Sequence, residues 1–316
     1  QPLDRFCPLT FPLLTVQVLP EQEQDLTALA AALQELAEED PLLDLEWLKE
    51  ERELHLKITG KIQLEILSEL LWDRYRLRAQ FSPPSVIYKE TPAKTGIGLE
   101  RYTMPKPCWA VLKFLITPLP RGSGVQYESV TPVREIMERY QHQVEQAIHL
   151  ATRQGMLGWQ VDDVKITLIG GEHHLVHTHP LDFIVCTPIA FMDGLRRGGS
   201  VLLEPMMRLH ITAPEGYLGR LLSEVAAMGG EMEDSQLRQG MCDVTARAPL
   251  TGCMDFSQRL AALTSGGGAV SMELSGYREC PFDESKRCPR KSVHPLDTSK
   301  YILAARSALE GGIFDR

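Results

Sequence analysis

The chain has 316 residues, of which 43% are hydrophobic and 24% are charged, and its formal net charge is -9. This length predicts two or three domains, and this composition is typical of a folded globular protein rather than a disordered or fibrous one. The net charge argues against a protein that coats nucleic acid uniformly, and no apolar stretch approaches the roughly 20 residues of a membrane-spanning helix.

The first segment has the pattern of a β-α-β-β-α-β unit. A strand is predicted over residues 13–18, followed by an amphipathic helix. The apolar residues of this helix recur at Leu26, Leu29, Leu33, Leu36 and Ala37. Two strands are expected at 42–48 and 53–59, around a charged turn at 49–52, and a second helix is expected over 61–75. Extended chain then closes the unit.

The middle of the chain follows a different pattern. A strand is predicted to end at Pro118, and a long helix is predicted to start at Thr131 and Pro132. One face of this helix carries Ile136, Tyr140, Val144, Ala147 and Ala151. A β-branched strand then leads into the stretch GGEHHLVHTHP at 170–180, and a further helix is expected to start at Thr187 and Pro188.

The last third repeats the first pattern and ends in a basic tail. Strand-like and helical runs between 206 and 280 again follow the order β-α-β-β-α-β. From Lys286 to Arg306 the chain carries six basic residues and one acidic residue, Asp297. This partly helical tail is therefore the part of the chain best suited to contact phosphate. The chain begins at Gln1, and we interpret it as a piece excised from a longer protein.

Four histidines within seven residues raise the question of a metal site, namely His173, His174, His177 and His179. They follow a strand pattern rather than a helix, and the H-E-x-x-H arrangement of zinc enzymes is absent from the sequence. The seven cysteines form no C-x-x-C pair and are expected to be reduced thiols. A metal-dependent enzyme therefore stays an alternative to a solvated hairpin tip.

No catalytic motif for acyl or phosphoryl transfer occurs in the sequence. There is no G-x-S-x-G elbow, and no glycine-rich loop ends in GK[ST]. We therefore predict that this chain by itself is not an enzyme. Three glycine-containing loops of the middle segment, at 121–129, 155–159 and 170–180, carry aromatic, imidazole or basic groups that suit structured RNA. The alternative is that they are ordinary turns, with Tyr127 and Trp159 packed into the core.

Four stretches carry a resemblance to a known family: PLPRGSGVQYES, RQGMLGWQVDDVKI, GGSVLLEPMMRLHITAPEGYLGRL and GKIQLEIL. In this order they resemble the C-terminal three domains of elongation factor G, and most closely the tetracycline-resistance ribosomal protection proteins. The resemblance includes the tail, in which KRCPRK and the helix that follows look like the C-terminal extension of that group.

The resemblance implies an α+β fold in which two ferredoxin-like domains, residues 8–88 and 205–280, flank a middle domain like domain 2 of ribosomal protein S5 at 89–204. Residues 281–316 form the basic, partly helical tail. The expected partner is the ribosome, with its 16S and 23S rRNA and ribosomal proteins. The protein is expected to be a cytoplasmic bacterial monomer with no membrane contact. No cofactor is expected on this chain, whereas GTP and Mg are expected in the absent N-terminal domain of a GTP-hydrolysing parent. A stand-alone RNA-binding or adaptor protein is the alternative.

The resemblance also implies which residues contact rRNA, since the middle domain of the family reaches the decoding region of the small subunit through three tip loops. The first loop supplies Arg121, Gly122, Ser123, Gly124, Gln126 and Tyr127. The second supplies Gly155, Met156, Leu157, Gly158 and Trp159. The third supplies Glu172, His173, His174, Leu175, Val176, His177 and Thr178. The basic tail adds Lys286, Arg287, Arg290, Lys291 and Arg306.

One departure from the resistance proteins falls in the third loop. They carry Ser-Pro-Val at a position near the drug, where this chain has Leu175, Val176 and His177. This substitution argues against displacement of the drug by this chain. Imidazoles at these positions could instead stack on bases or donate to phosphate.

Overall fold

The computed structural model describes residues 12–48, 52–104, 106–179 and 181–310. The described residues form two compact units: one contains residues 12–87 together with 204–278, and the other contains 88–203 together with 279–310. The predicted turn at 49–52 lies largely outside the described residues, as does Cys7. In the described ranges, no helix combines the length and apolar character that crossing a membrane requires.

The segment up to residue 87 has the predicted β-α-β-β-α-β order. Its elements are β1 (Leu14–Pro20), α1 (Leu26–Glu39), β2 (Glu46–Leu48), β3 (Glu53–Ile58), α2 (Lys61–Tyr75), β4 (Ala79–Phe81) and β5 (Ser85–Val86). The sheet order is β2-β3-β1-β4, and β5 also pairs with β1. The four predicted leucines of α1 are buried, as the helical spacing requires.

The strand predicted at 42–48 is shorter than expected. Residues Pro41–Leu43 form a 3-10 turn instead, and β2 begins at Glu46. The Asp40 side chain accepts a hydrogen bond from the Leu42 amide, and Asp44 has a left-handed backbone with φ of 34°. Both features fold the chain back on itself, which prevents extended pairing until the turn is complete.

The middle of the chain contains a four-stranded sheet, two long helices and two further short strands that pair outside this sheet. Its elements are β6 (Lys89–Pro92), β7 (Gly96–Met104), β8 (Cys108–Pro118), β9 (Val125–Ser129), α3 (Glu138–Ala151), β10 (Gln160–Val161), β11 (Val164–Glu172) and α4 (Asp182–Gly198). The sheet order is β7-β8-β11-β9, with β9 and β11 parallel across α3 and the other pairs antiparallel. The strands β6 and β7 were missing from the sequence prediction.

Both helices of the middle segment start at different residues from those predicted. The helix α3 begins at Glu138 rather than near Thr131, because the Thr131 hydroxyl donates to the Leu168 carbonyl and holds the chain against β11. The helix α4 begins at Asp182 and contains Pro188 internally. The predicted buried face of α3, from Ile136 to Ala151, is confirmed.

The second β-α-β-β-α-β segment is also confirmed. Its elements are β12 (Ser200–Pro214), α5 (Leu218–Ala227), β13 (Glu231–Arg238), β14 (Met241–Pro249), a short α6 (Leu250–Cys253), α7 (Phe256–Leu263) and β15 (Ala269–Cys280). From residue 206 onward β12 pairs with β14, which in turn pairs with β13, and β15 pairs with β12.

The tail packs against the middle segment instead of extending from it. The helix α8 (Thr298–Glu310) follows an irregular stretch, and its Ile302 is fully buried in the core formed by β8, β11, α3 and α4. Tyr301 and Ala305 pack against the same core. Residues from 279 onward therefore complete the unit that carries the predicted loops.

Candidate functional site

The three predicted loops lie at two opposite ends of the middle sheet. In the antiparallel pair of β8 and β11, Val164 stands opposite Pro118, whereas Glu172 stands opposite Val111. The loops at 121–124 and 155–159 are thus at the beginning of β11, and the histidine loop is at its end. Nine extended residues separate these ends by about 26 Å. The expectation that all three loops form one tip is therefore wrong, because it ignored the direction of the paired strands.

Two other segments lie beside the histidine loop. The β7–β8 hairpin turns at this end, since Met104 pairs with Cys108, and β9 runs parallel to β11 and ends here at Ser129. We call this end the tip. It comprises Met104 and residues 106–108 where β7 and β8 meet, residues 130–137 and residues 172–179. The backbone amide of His173 donates to the Glu135 carbonyl at 3.2 Å, which joins two of the three segments.

The tip exposes several large apolar side chains. Leu175 and Val176 are 80% and 74% exposed. The other two segments each expose large apolar side chains by more than half, at Met104, Val130 and Val133. Exposed apolar side chains gathered at one end of a domain indicate a contact surface rather than a solvated turn. Sequence reasoning missed the contributions of the β7–β8 turn and of 130–137, because nothing local signals which strand ends lie together.

The histidines of the tip hold the loop together. His174 Nδ1 accepts hydrogen bonds from the Val176 and His177 amides, each at 3.1 Å, and the rings of His174 and His177 stack with centroids 4.4 Å apart. The His174 amide donates to the Thr178 hydroxyl at 2.8 Å, and that hydroxyl donates to the Trp109 carbonyl. These bonds close a tight turn whose outermost residues are Leu175 and Val176.

Two further polar side chains of the tip have partners nearby. His173 Nδ1 lies 2.9 Å from the Glu135 carbonyl, and its ring packs on Tyr140. Glu172 pairs with Arg101 at 3.6 Å on the surface. Among the described residues, no group of three or more His, Cys, Asp or Glu side chains could hold a metal ion.

The loop at 121–124 is fixed by acidic neighbours. Arg121 pairs with Glu279 and lies 3.9 Å from Asp163, and Asp163 also accepts from the Gly124 amide at 3.1 Å. Gln126 is exposed on β9, whereas Tyr127 packs against the hydrophobic core. Two carboxylates therefore offset the positive charge of Arg121, and the packing of Tyr127 agrees with the alternative of an ordinary turn.

The loop at 155–159 is covered by the basic tail. The Trp159 indole donates to the Lys286 carbonyl at 2.7 Å, and the Cys288 amide donates to the Leu157 carbonyl at 3.1 Å. Arg287 donates to the Met156 carbonyl, and Arg290 donates to the Gly155 carbonyl. The predicted phosphate-binding cations Arg287 and Arg290 thus bind backbone oxygens within the same unit, and the Lys291 amide bonds Gln154.

A buried carboxylate lies under this loop. Glu90 is fully buried, and its Oε2 accepts from the Leu157 amide at 2.6 Å, while its Oε1 has no hydrogen-bond partner among the described residues. Burial raises the pKa of Glu90 to about 8, although the Leu157 amide and the charge of Arg290 act in the opposite direction. Sequence reasoning missed Glu90, since its surroundings come from segments far apart in the chain.

Three family models match the chain in succession. They are elongation factor G domain III over residues 9–83, elongation factor G domain IV over 84–199 and the elongation factor G C-terminus over 201–288. Domain IV is the segment that contains the tip, and the C-terminus model extends into the tail.

Curated relatives of the chain include tetracycline resistance proteins. TetP of Clostridium perfringens is 31% identical over 279 residues, which cover 88% of this chain and 43% of that protein. TetM from transposon Tn916 of Enterococcus faecalis is 31% identical over 297 residues, which cover 92% and 46%. A crystal structure of a protein from Thermus thermophilus superposes with a TM-score of 0.69 at 31% identity, covering 87% of this chain and 42% of that one. The chain thus spans less than half the length of these proteins.

Proposed function

Because this chain belongs to the elongation factor G family over residues 9–288, we propose that it is the ribosome-binding part of a translational GTPase. The tetracycline resistance proteins among its relatives support a place near the ribosomal protection group. The domains proposed are 8–88, 89–204 and 205–280, with the tail from 281 onward docked on the middle one. The full-length protein acts in the cytoplasm as a monomer, and its GTP and Mg bind in a part that this sequence does not contain.

The proposed partner of the tip is RNA of the small ribosomal subunit, in the decoding region. The observation that carries this proposal is the exposure of Leu175 and Val176 beside the stacked rings of His174 and His177. Flat imidazoles and apolar side chains contact the faces of unstacked bases, which structured RNA exposes in its loops and bulges. Contacts of the tail and of the other end of the sheet with 16S or 23S rRNA belong to the same proposal.

Arg121 and the loop at 155–159 are proposed as a second, weaker contact region. Their cationic and aromatic groups are engaged by Asp163, Glu279 and the tail, so RNA would have to compete with those partners. The tip needs no such exchange because its apolar side chains already face solvent. We therefore assign the larger part of the binding free energy to the tip.

The test compares the tip with an exposed apolar residue towards the other end of the middle sheet, in the full-length protein. Replacing Leu175 and Val176 together by serine is expected to weaken ribosome binding by at least about tenfold, since fully burying a leucine or valine side chain contributes about 1.5–3 kcal/mol. The control is Ile97→Ser, because Ile97 is 45% exposed and pairs with Leu115 towards the other end of the sheet. Binding is measured by co-sedimentation with 70S ribosomes. Equal affinities of the double variant and the unchanged protein would refute the tip assignment.

A further inference from the structure

A buried carboxylate ties the base of the tip together. Asp182, the first residue of α4, has no exposed surface. Its Oδ2 accepts from the Trp109 amide at 3.0 Å and from the His179 amide at 2.9 Å. Trp109 lies on β8 next to the β7–β8 turn, and His179 follows the histidine loop. One carboxylate oxygen therefore sets the spacing between two segments of the tip.

The charge of this carboxylate is neutralised from the tail. The guanidinium of Arg306 on α8 contacts Asp182 Oδ1, across a sequence separation of 124 residues. A buried carboxylate is costly unless it is paired and hydrogen-bonded. Among the described residues, Arg306 is the one cation that pairs with Asp182. The packing of Ile302 and Tyr301 against the core holds α8 where Arg306 can reach.

We infer that Arg306 is a positioning residue for the tip, acting through Asp182. With Arg306 in place, Asp182 is paired and keeps both amides, and the segment that ends at His179 is held in the turn that displays Leu175 and Val176. Without Arg306, an unpaired buried charge must gain water or a proton, and either change loosens its hold on the two amides. The functional consequence, weaker RNA contact, rests on the function proposed above.

The helix α8 thus makes two different kinds of contact, an ion pair at the base of the tip and apolar packing against the core. Ile302 contributes buried apolar area, which stabilises the whole unit, whereas Arg306 acts on two particular amides. The two roles predict different patterns of amide exchange. Loss of packing raises exchange throughout the unit, whereas loss of the ion pair raises it first at the tip.

The experiment measures hydrogen exchange of the Trp109 and His179 amides by NMR in Arg306→Met, which keeps much of the aliphatic stem. We expect exchange at these amides to become at least about tenfold faster than in the unchanged protein, relative to amides of the central strands. Two controls on α8 should leave this ratio unchanged: Lys300→Ala, which removes an exposed pair with Asp297, and Ile302→Val, which weakens packing. Unchanged exchange at both amides in Arg306→Met, or an equal rise in Ile302→Val, would overturn the inference.

A second variant keeps the test decisive if Arg306→Met loosens the fold as a whole. Asp182→Asn retains an acceptor oxygen without a charge, so it does not require a cation. In that background Arg306→Met should change exchange at the two amides by less than about twofold. A tenfold effect in both backgrounds would contradict action through Asp182.

Ribosome binding of the full-length Arg306→Met variant separates this inference from the proposed function. Faster exchange at the tip with weaker ribosome binding supports both. Faster exchange at the tip, combined with full binding by the Leu175 and Val176 double variant, would retain the positioning role and refute the proposed function.

Discussion

At the scale of single residues, the histidines of the tip form hydrogen bonds with its backbone. Each of His173, His174 and His179 has a ring nitrogen within hydrogen-bond distance of a backbone group of the tip. Because His174 Nδ1 accepts two amides, the hydrogen of its neutral ring must be on Nε2. The most exposed large apolar side chains of the tip are Leu175 and Val176. A stretch whose composition suggests a metal site therefore holds the turn that exposes two apolar side chains.

Glu90 provides a prediction at the same scale. Its pKa is raised to about 8, with burial as the main cause, so the folded protein binds its proton more tightly than the unfolded chain. The stability contributed by protonated Glu90 is fully present below its ordinary pKa of 4.5 and is lost as pH rises through about 8. Glu90→Gln should therefore be more stable than the unchanged protein at pH 9, by an amount on the order of a few kcal/mol, and similar at pH 4.5.

Urea unfolding at pH 4.5, 7 and 9 measures this difference between the two proteins. Glutamine retains an oxygen that can accept from the Leu157 amide, so the substitution removes the charge and keeps the bond. A difference in unfolding free energy that stays constant across this pH range would show that the Glu90 carboxyl is not the group responsible.

At the scale of elements, the tail and the loop at 155–159 form one interlocked structure. The loop supplies three backbone carbonyls to Arg287, Cys288 and Arg290, and its indole bonds a carbonyl of the tail. Gly158 makes this fit possible: its φ is 87°, and a Cβ atom there would lie 2.0 Å from the Cys288 carbonyl oxygen. The charge of the tail is thus used largely within its own unit.

A pair of glycine substitutions tests how closely the tail packs against the loop at 155–159. Gly122 has a similar φ of 85°, but a Cβ atom there would have nothing within 4 Å. Gly122→Ala should lower the unfolding free energy by about 1–2 kcal/mol from backbone strain alone. Gly158→Ala should cost at least about twice as much, because backbone must also move away from backbone. Chemical denaturation of both variants gives the comparison, and equal losses would be inconsistent with a tail packed against the loop.

At the scale of the whole molecule, the balance of charge favours contact by shape and stacking. The net charge is -9, and the basic residues first expected to contact rRNA at Arg121, Arg290 and Arg306 are bound to carboxylates or carbonyls. A protein that neutralises few phosphates releases few counterions on binding. For the proposed ribosome binding, this charge distribution favours contacts other than the neutralisation of phosphates.

The salt dependence of binding tests this balance. For the full-length protein, a plot of log affinity for ribosomes against log salt should have a slope no steeper than about -3, since the slope follows the number of phosphate contacts. The measurement is a titration between low and moderate potassium chloride at fixed magnesium. A slope near about -8 would mean that many cations are released from their internal partners and contact phosphate.

The sequence by itself determined the order of elements in this protein. Hydrophobic periodicity and glycine and proline positions predicted both β-α-β-β-α-β segments, the buried face of α3 and the helix of the tail. These features depend on neighbours within a few turns or strand residues, so they can be recognised locally. Four sequence stretches that resemble the elongation factor G family placed these elements in it, and the matched domain models confirm this assignment.

Tertiary structure alone decided which loops lie together and what the charged residues contact. The direction of β8 against β11 separates the loop at 121–124 from the histidine loop, although both are loops of one sheet. The amide that donates to Glu90 lies 67 residues away, and the cation that pairs with Asp182 lies 124 residues away, so no local pattern indicates either partner. Burial of a charge has meaning only once distant segments have closed around it, which is why the apolar tip and its anchor on α8 emerged from the fold and not from the sequence.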